Sequence, residues 1–164
     1  MTRSKADLRA DIPIQYLRRL LRYLPERGEL FWAFTAVNQD GRYVGGIRNY
    51  TYKKARVCFA HFHGWWPTGM VDHIDGDNTN DSIRNLREAT HAQNNANRGS
   101  LAGSRSRYVG VAYDQRSGKW KGQVYKDGKN NNTPRRRCET AAALDRDRLA
   151  LALHGDFARL NIDA

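Results

Sequence analysis

The chain has 164 residues, a formal net charge of +11 and a pI near 10.1, a length for one domain of common size or two small ones and a charge that favours a polyanionic partner, most simply nucleic acid. No apolar run nears the ~20 residues of a membrane span, the N-terminal MTRSKADLRADIP lacks the apolar core of a signal peptide, and Cys58 and Cys138 form no CxxC pair for structural zinc. These features predict a soluble cytoplasmic protein with reduced thiols, no membrane contact and no small-molecule cofactor.

Residues 1–27 predict a helix. IPIQYLRRLLRYLP spaces Ile14, Leu17, Leu20, Leu21 and Leu24 helically, with Arg18, Arg19 and Arg22 between them; Pro13 suits a first turn and Pro25 a stop. ELFWAF, GRYVGGIRN and YTYKKARVCF then predict short strands across residues 29–59. AHFHGWWPTG predicts a short helix or turn closed by Pro67 and Gly69, with Trp65 and Trp66 as packing residues and His61 and His63 as packed or hydrogen-bonded histidines.

Residues 71–75 predict a strand that sends Asp72 and His73 to opposite faces. GDNTND is a loop of turn formers, LREAT a returning strand, and THAQ a capping box with Thr90 as N-cap and Gln93 three residues on. The helix of residues 91–97 ends at Gly99. SLAGSRSR has a linker's composition and places a domain boundary near 99–106. Beyond it YVGVAYD, KWKGQVYKDGK and TPRRRCE predict three strands. TAAALDRDRLALALHG predicts one helix, with Thr140 as N-cap, Gly155 as stop, and Ala141, Ala142, Ala143, Leu144, Leu149 and Leu153 as the face that packs on the sheet. The whole predicts an α+β chain: a first domain over 1–99, a linker over 100–106 and a second domain over 107–164.

Charge is distributed unevenly: +7 over residues 1–70, −2 over 71–100 and +6 over 101–164. Basic flanks around an acidic centre suit a protein that holds phosphates on either side of a cation.

The ordered set in that centre is DH at 72–73, DGDNTND in the loop, IRNL with Asn85 before the second strand, and QNNANR on the helix. It resembles the HNH homing-endonuclease family, and WWPTGMVDHIDGD resembles the approach to the motif in phage-borne members. The resemblance covers about thirty residues and implies the ββα-metal (His-Me finger) nuclease motif, here after an N-terminal β-rich segment.

It also implies a division of labour. Asp72 and Asn94 would supply a carboxylate and an amide oxygen to one Mg²⁺ or Mn²⁺ per site, hard oxygen donors for a hard cation. His73 would take the proton from the attacking water, and Asn85 would tie down the loop or orient His73. Asn97, three residues past Asn94 on nearly the same helical face, stays open as the ligand in place of Asn94; His91 reads as a surface residue of the first turn. Asp75 and Asp77 read as loop-holding residues. A calcium loop is the competing reading of DHIDGDNTND, but the glutamate expected at its twelfth position is missing.

YVGV at 108–111, GKWKGQV at 118–124, ETAAALDRDRLALALHG at 139–155 and ARLN at 158–161 resemble the Apetala-two (ethylene-response-factor type) DNA-binding domain. That likeness implies a three-stranded antiparallel sheet packed on one helix and laid in the major groove. In KWKGQVY, Trp120, Gly122 and Val124 share one face; Lys121, Gln123 and Tyr125 share the other with Lys119. Val109 and Ala112 stand where the plant pattern has arginines, so contacts shift to Arg105, Arg107, Arg116, Lys121 and the run Arg135, Arg136, Arg137, whose part is chiefly with phosphates. The combined expectation is a homing-type, metal-dependent endonuclease acting on double-stranded DNA as a monomer or homodimer. A DNA-binding regulator with an inactive HNH fold and a non-enzymatic RNA-binding protein are the alternatives.

Overall fold

The computed structural model describes residues 12–31, 36–37, 43–47, 50–99 and 104–162, and the chain divides into two compact units, Met1–His91 and Ala92–Ala164. Residues 1–11 of the predicted first helix, 32–34 of ELFWAF, 41–42 and 48–49 of GRYVGGIRN, and 100–103 of the predicted linker lie outside the described residues.

In the first unit, helix α1 spans Ile14–Leu20 and stops earlier than its periodicity predicts. Leu21 is extended, and Arg22–Leu24 is strand β1, paired antiparallel with β2, Glu29–Phe31. The proline after Leu24 biases that residue away from helix, and the hairpin takes over. Its turn runs through Gly28 at φ 65, where an added Cβ would lie 2.4 Å from the backbone of Asp81 and Ser82. The turn therefore sits directly against the loop that carries Asp81. Strands β3 (Ala36–Val37), β4 (Tyr43–Ile47) and β5 (Tyr50–Lys53) form an antiparallel sheet in that order.

A second departure follows. KARVCF is helical, not extended: α2 spans Lys54–His63 and ends on Gly64 in the left-handed region. The reason is burial on several sides. Val57 joins Ile12, Leu17, Leu21 and Tyr52 in one apolar cluster, while Cys58 and Phe59 join Tyr23 and Leu86 in another. A helix that forms the wall between two clusters shows no clean amphipathic period. Trp66 stacks on Tyr52 and donates Nε1–H to the Ile12 carbonyl at 3.0 Å, whereas Trp65 is exposed. After Pro67 and Gly69, whose carbonyls both accept from Arg56, strand β6 (Met70–His73) pairs antiparallel with β7 (Leu86–Ala89).

Helix α3, His91–Ala96, begins on the last residue of the first unit, and the second unit carries a sheet of β8 (Val111–Asp114), β9 (Lys119–Lys126) and β10 (Lys129–Asn132), in the order β10-β9-β8. The third strand is not TPRRRCE. Asp127 and Gly128, both at positive φ, make a two-residue hairpin turn that returns the chain at once, and TPRRRCE stays beside β9 through hydrogen bonds between Thr133 and Gly122 and a bridge from Arg136 to Trp120. Helix α4, Glu139–His154, starts after Cys138, so Thr140 is inside the helix instead of capping it; Gly155 does close it. Ala142, Ala143 and Ala150 are buried, but Leu144 is exposed. A Cβ at Gly122 would come 2.5 Å from the Arg146 Cβ, so the helix rests on the bare backbone of β9. Asp147 accepts from the Asn161 and Ile162 amides and from the Asn161 side chain, and Asn161 also brackets Val109. This ties the C-terminal segment to the helix and to the lead-in of the sheet.

Gly28→Ala should destabilise the first unit by more than the ~1–3 kcal/mol of a strained left-handed residue, because backbone overlap adds to the strain. Gly128→Ala is the control, since Gly128 also has positive φ but nothing within 4 Å. Denaturant unfolding of both variants checks this; equal losses would contradict the close packing of Gly28 on Asp81.

Candidate functional site

The β6–β7 hairpin carries the acidic motif. Asp72 and His73 are its last two residues before the loop, and the strand sends them to different partners. Asp72 lies opposite Arg87 in the ladder and is buried. Its Oδ2 accepts from Arg87 Nε at 2.9 Å and lies 2.8 Å from Nη2. His73 is also buried, at 7% exposure, and its Nε2 lies 2.9 Å from Asp81 Oδ1.

The loop between the strands is held by its own polar side chains. Asp75 accepts from the Asp77 amide at 2.7 Å, Asn80 Nδ2 at 2.7 Å and Asn85 Nδ2 at 2.9 Å. Asn85 also donates to the Asn80 carbonyl and accepts from the Asp75 amide. Asp77 accepts from the amide and hydroxyl of Thr79. Partial burial pushes the Asp75 pKa up, but the donated hydrogen bonds outweigh it and leave the carboxyl below its ordinary value. The Thr79 donors do the same for Asp77.

Asp81 ends the loop and is 2% exposed. Lys54 Nζ, from the first turn of α2, lies 3.2 Å from its Oδ2 and donates to the Gly28 carbonyl at 3.0 Å. The Asp81 carbonyl accepts from the Tyr23 hydroxyl at 2.6 Å, and the Ile83 amide donates to the Pro25 carbonyl at 2.8 Å. Burial drives the Tyr23 phenol and the Cys58 thiol well above their ordinary pKa values, so both stay protonated beside this carboxylate. The motif thus brings Asp72, His73 and Asn85 into one hairpin. Asn94 belongs to the second unit, half-buried on α3; Asn97, just past that helix, is buried, with its amide donating to the Gln93 carbonyl at 3.3 Å. Asp81, Lys54 and Arg87 are partners that spacing alone did not single out.

His61, read as hydrogen-bonded, places Nε2 3.1 Å from the Leu21 carbonyl; burial first, and then Arg18, lower its pKa against that bond. His63 packs among Phe59, Phe62 and Trp65.

In the second unit Lys119, Lys121, Gln123 and Tyr125 alternate along β9 with Gly122 and Val124, which are buried toward α4. Their cross-strand neighbours are Asp114, Ala112, Asn132 and Asn130, and Gln123 donates to Asn132 at 3.1 Å. Arg105 lies 5.4 Å from the Tyr113 ring centre and Arg107 4.7 Å from that of Tyr108. Arg116 and Arg137 are exposed. Arg135 and Arg136 are each 2.6 Å from a carboxylate, Asp114 and Asp145. The bond from Arg135, followed by that from Ser117, holds the Asp114 carboxyl at about 2.

A two-stranded hairpin with an Asp-His pair on its first strand, an asparagine before its second and a following helix defines an HNH endonuclease domain, and residues 52–96 match the family model described as HNH endonuclease. The match takes in α2, the hairpin and α3. Protein 3.8 of Escherichia phage T7 is 36% identical over 90 residues, 54% of this chain and 73% of that protein. The chain belongs to one family with this phage protein. No solved structure matches it. Among the described residues, no helix is long and apolar enough to cross a membrane.

The depressed Asp75 pKa exists only while the loop is folded, so its contribution is present above the ordinary value of 3.8 and is lost as pH falls below it. Carboxyl-carbon NMR should place the Asp75 midpoint below 3.8 in the native chain and return it toward that value in Asn85→Ala. An unchanged midpoint in the variant would contradict the part assigned to Asn85 in the loop.

Proposed function

We propose that this protein is a metal-dependent DNA endonuclease of the homing type, with His73 as general base, Asp72 and Asn94 as metal ligands, and the sheet of the second unit as its Apetala-two-like target-binding module. The observation that carries the reading is the folded Asp72–His73 hairpin, whose two side chains go to opposite sides from one strand end. A carboxylate such as that of Asp72 and an amide oxygen such as that of Asn94 are both donors of the kind a hard cation prefers. Among the described residues, no group of three or more His, Cys, Asp or Glu side chains could hold a metal, so an ion would draw on amide, water and phosphate oxygens as well. Mg²⁺ or Mn²⁺, when bound, neutralises charge on the scissile phosphate and on the departing oxygen.

The chain's own residues supply the rest. The His73 imidazole takes the proton of the attacking water. Arg87 balances the buried Asp72 carboxylate and keeps it oriented. Asn85 fixes the loop, so the strand end carrying both residues does not wander. On the second unit, Lys119, Lys121, Gln123 and Tyr125 present donors and an aromatic edge to base edges in the major groove. Arg105, Arg107, Arg116, Arg135, Arg136 and Arg137 supply positive charge for phosphates; Arg135 and Arg136 would exchange their carboxylate partners for phosphate.

A rival reading, a DNA-binding regulator with an inactive HNH fold, draws on the double contact of Arg87 with Asp72, which competes with any cation at that oxygen. One assay separates the two. Supercoiled plasmid incubated with the protein should be nicked in Mg²⁺ or Mn²⁺ and left intact in EDTA. His73→Ala should lose about 10²–10⁴-fold in rate while its gel-shift affinity changes little. Binding without nicking under every divalent ion would favour the regulator.

A further inference from the structure

We infer that Asp81 is the positioning residue for His73, and that Lys54 at the start of α2 balances its charge. The inference rests on the reading of His73 as the base, and it concerns which of the two ring nitrogens does the work. Asp81 Oδ1 lies 2.9 Å from His73 Nε2, with both side chains buried. An ionised carboxylate only accepts hydrogen bonds, so this contact places the ring proton on Nε2 and the basic lone pair on Nδ1. One tautomer is selected, and the ring plane is fixed with it.

Three further observations make this a built arrangement. A carboxylate at 2% exposure is costly without an opposite charge, and Lys54 Nζ is 3.2 Å from Oδ2. Lys54 stands in the first turn of a helix with no acidic residue there, the end where a cation is disfavoured; its contacts with Asp81 and the Gly28 carbonyl account for it. The Asp81 backbone is fixed independently of its side chain, by the Tyr23 hydroxyl and by the close approach of Gly28. A carboxylate aimed by the β1–β2 hairpin, α2 and its own loop cannot follow the imidazole if the ring turns. It holds the ring in place.

The test reads the His73 tautomer by ring ¹⁵N NMR in the full chain, beside kcat and KM for plasmid nicking. The wild type should show the Nε2–H tautomer. Asp81→Asn, whose amide oxygen still accepts from Nε2–H, should keep that tautomer and stay within tenfold of wild-type kcat. Asp81→Ala should give mixed tautomers and lose about 10–100-fold in kcat with KM nearly unchanged. Should the alanine variant fail to fold, the wild type and Asp81→Asn carry the test by themselves. A wild-type ring with its proton on Nδ1, or a tautomer indifferent to Asp81→Ala, overturns the inference whether or not the protein nicks DNA. An Asp81-dependent Nε2–H tautomer in a wild type that never nicks supports the pairing and overturns only the nuclease reading.

Discussion

One buried carboxylate organises the first unit. Asp81 is nearly inaccessible to water, and a charge so placed must find partners or the fold loses several kcal/mol. The carboxylate finds them on two separate elements, and a third holds its backbone. Lys54 comes from the start of α2, His73 from the end of β6, and the Tyr23 hydroxyl reaches its backbone from β1. The glycine at the β1–β2 turn exists for the same contact, because a side chain there would overlap the Asp81–Ser82 backbone. The N-terminal hairpin, which contributes no residue to the HNH motif, thereby packs against the backbone of the aspartate that contacts the motif's histidine.

The acidic centre of a basic chain takes on a different meaning in this light. Its four aspartates are spent separately. Asp72 meets Arg87 across the ladder, Asp81 meets Lys54 and His73, and Asp75 and Asp77 act as acceptors that fold the loop. Two of the four are therefore offset by cations within the unit, and two are consumed by backbone and amide donors. Negative charge here is first a means of shaping a short hairpin with few apolar side chains; only Asp72 is proposed to serve an ion as well. The second unit achieves order by another route. Gly122 lets α4 lie on the strand backbone, and Asp147 with Asn161 binds the chain end to the helix, leaving the opposite sheet face to polar side chains.

The hairpin and its motif were legible because their signals are local. Strand, turn-rich loop, returning strand and helix follow within thirty residues, and the ordered Asp, His and Asn positions need no distant partner to be recognised. The misread parts are those decided elsewhere in the chain. KARVCF is helical because it walls off two clusters at once, so its apolar residues fall on several faces and the helical period is blurred. The first helix ends early because Leu24 precedes a proline and its neighbours have a strand to pair with. The third strand of the second unit begins directly after the Asp127–Gly128 turn and not at the basic run beyond it, because a two-residue turn at positive φ returns the chain at once. Asp81 could not be picked out from four aspartates by spacing, since its importance comes from Lys54, twenty-seven residues upstream.

The central claim is that Lys54 and Asp81 form one energetic unit on which the hairpin is seated. A double-mutant cycle with Lys54→Met and Asp81→Asn, followed by denaturant unfolding of the full chain, measures this directly. Coupling of roughly 1–3 kcal/mol between the two substitutions is the predicted result. Losses that simply add, within about 0.5 kcal/mol, would show that the two side chains are neighbours without being partners, and would contradict the account.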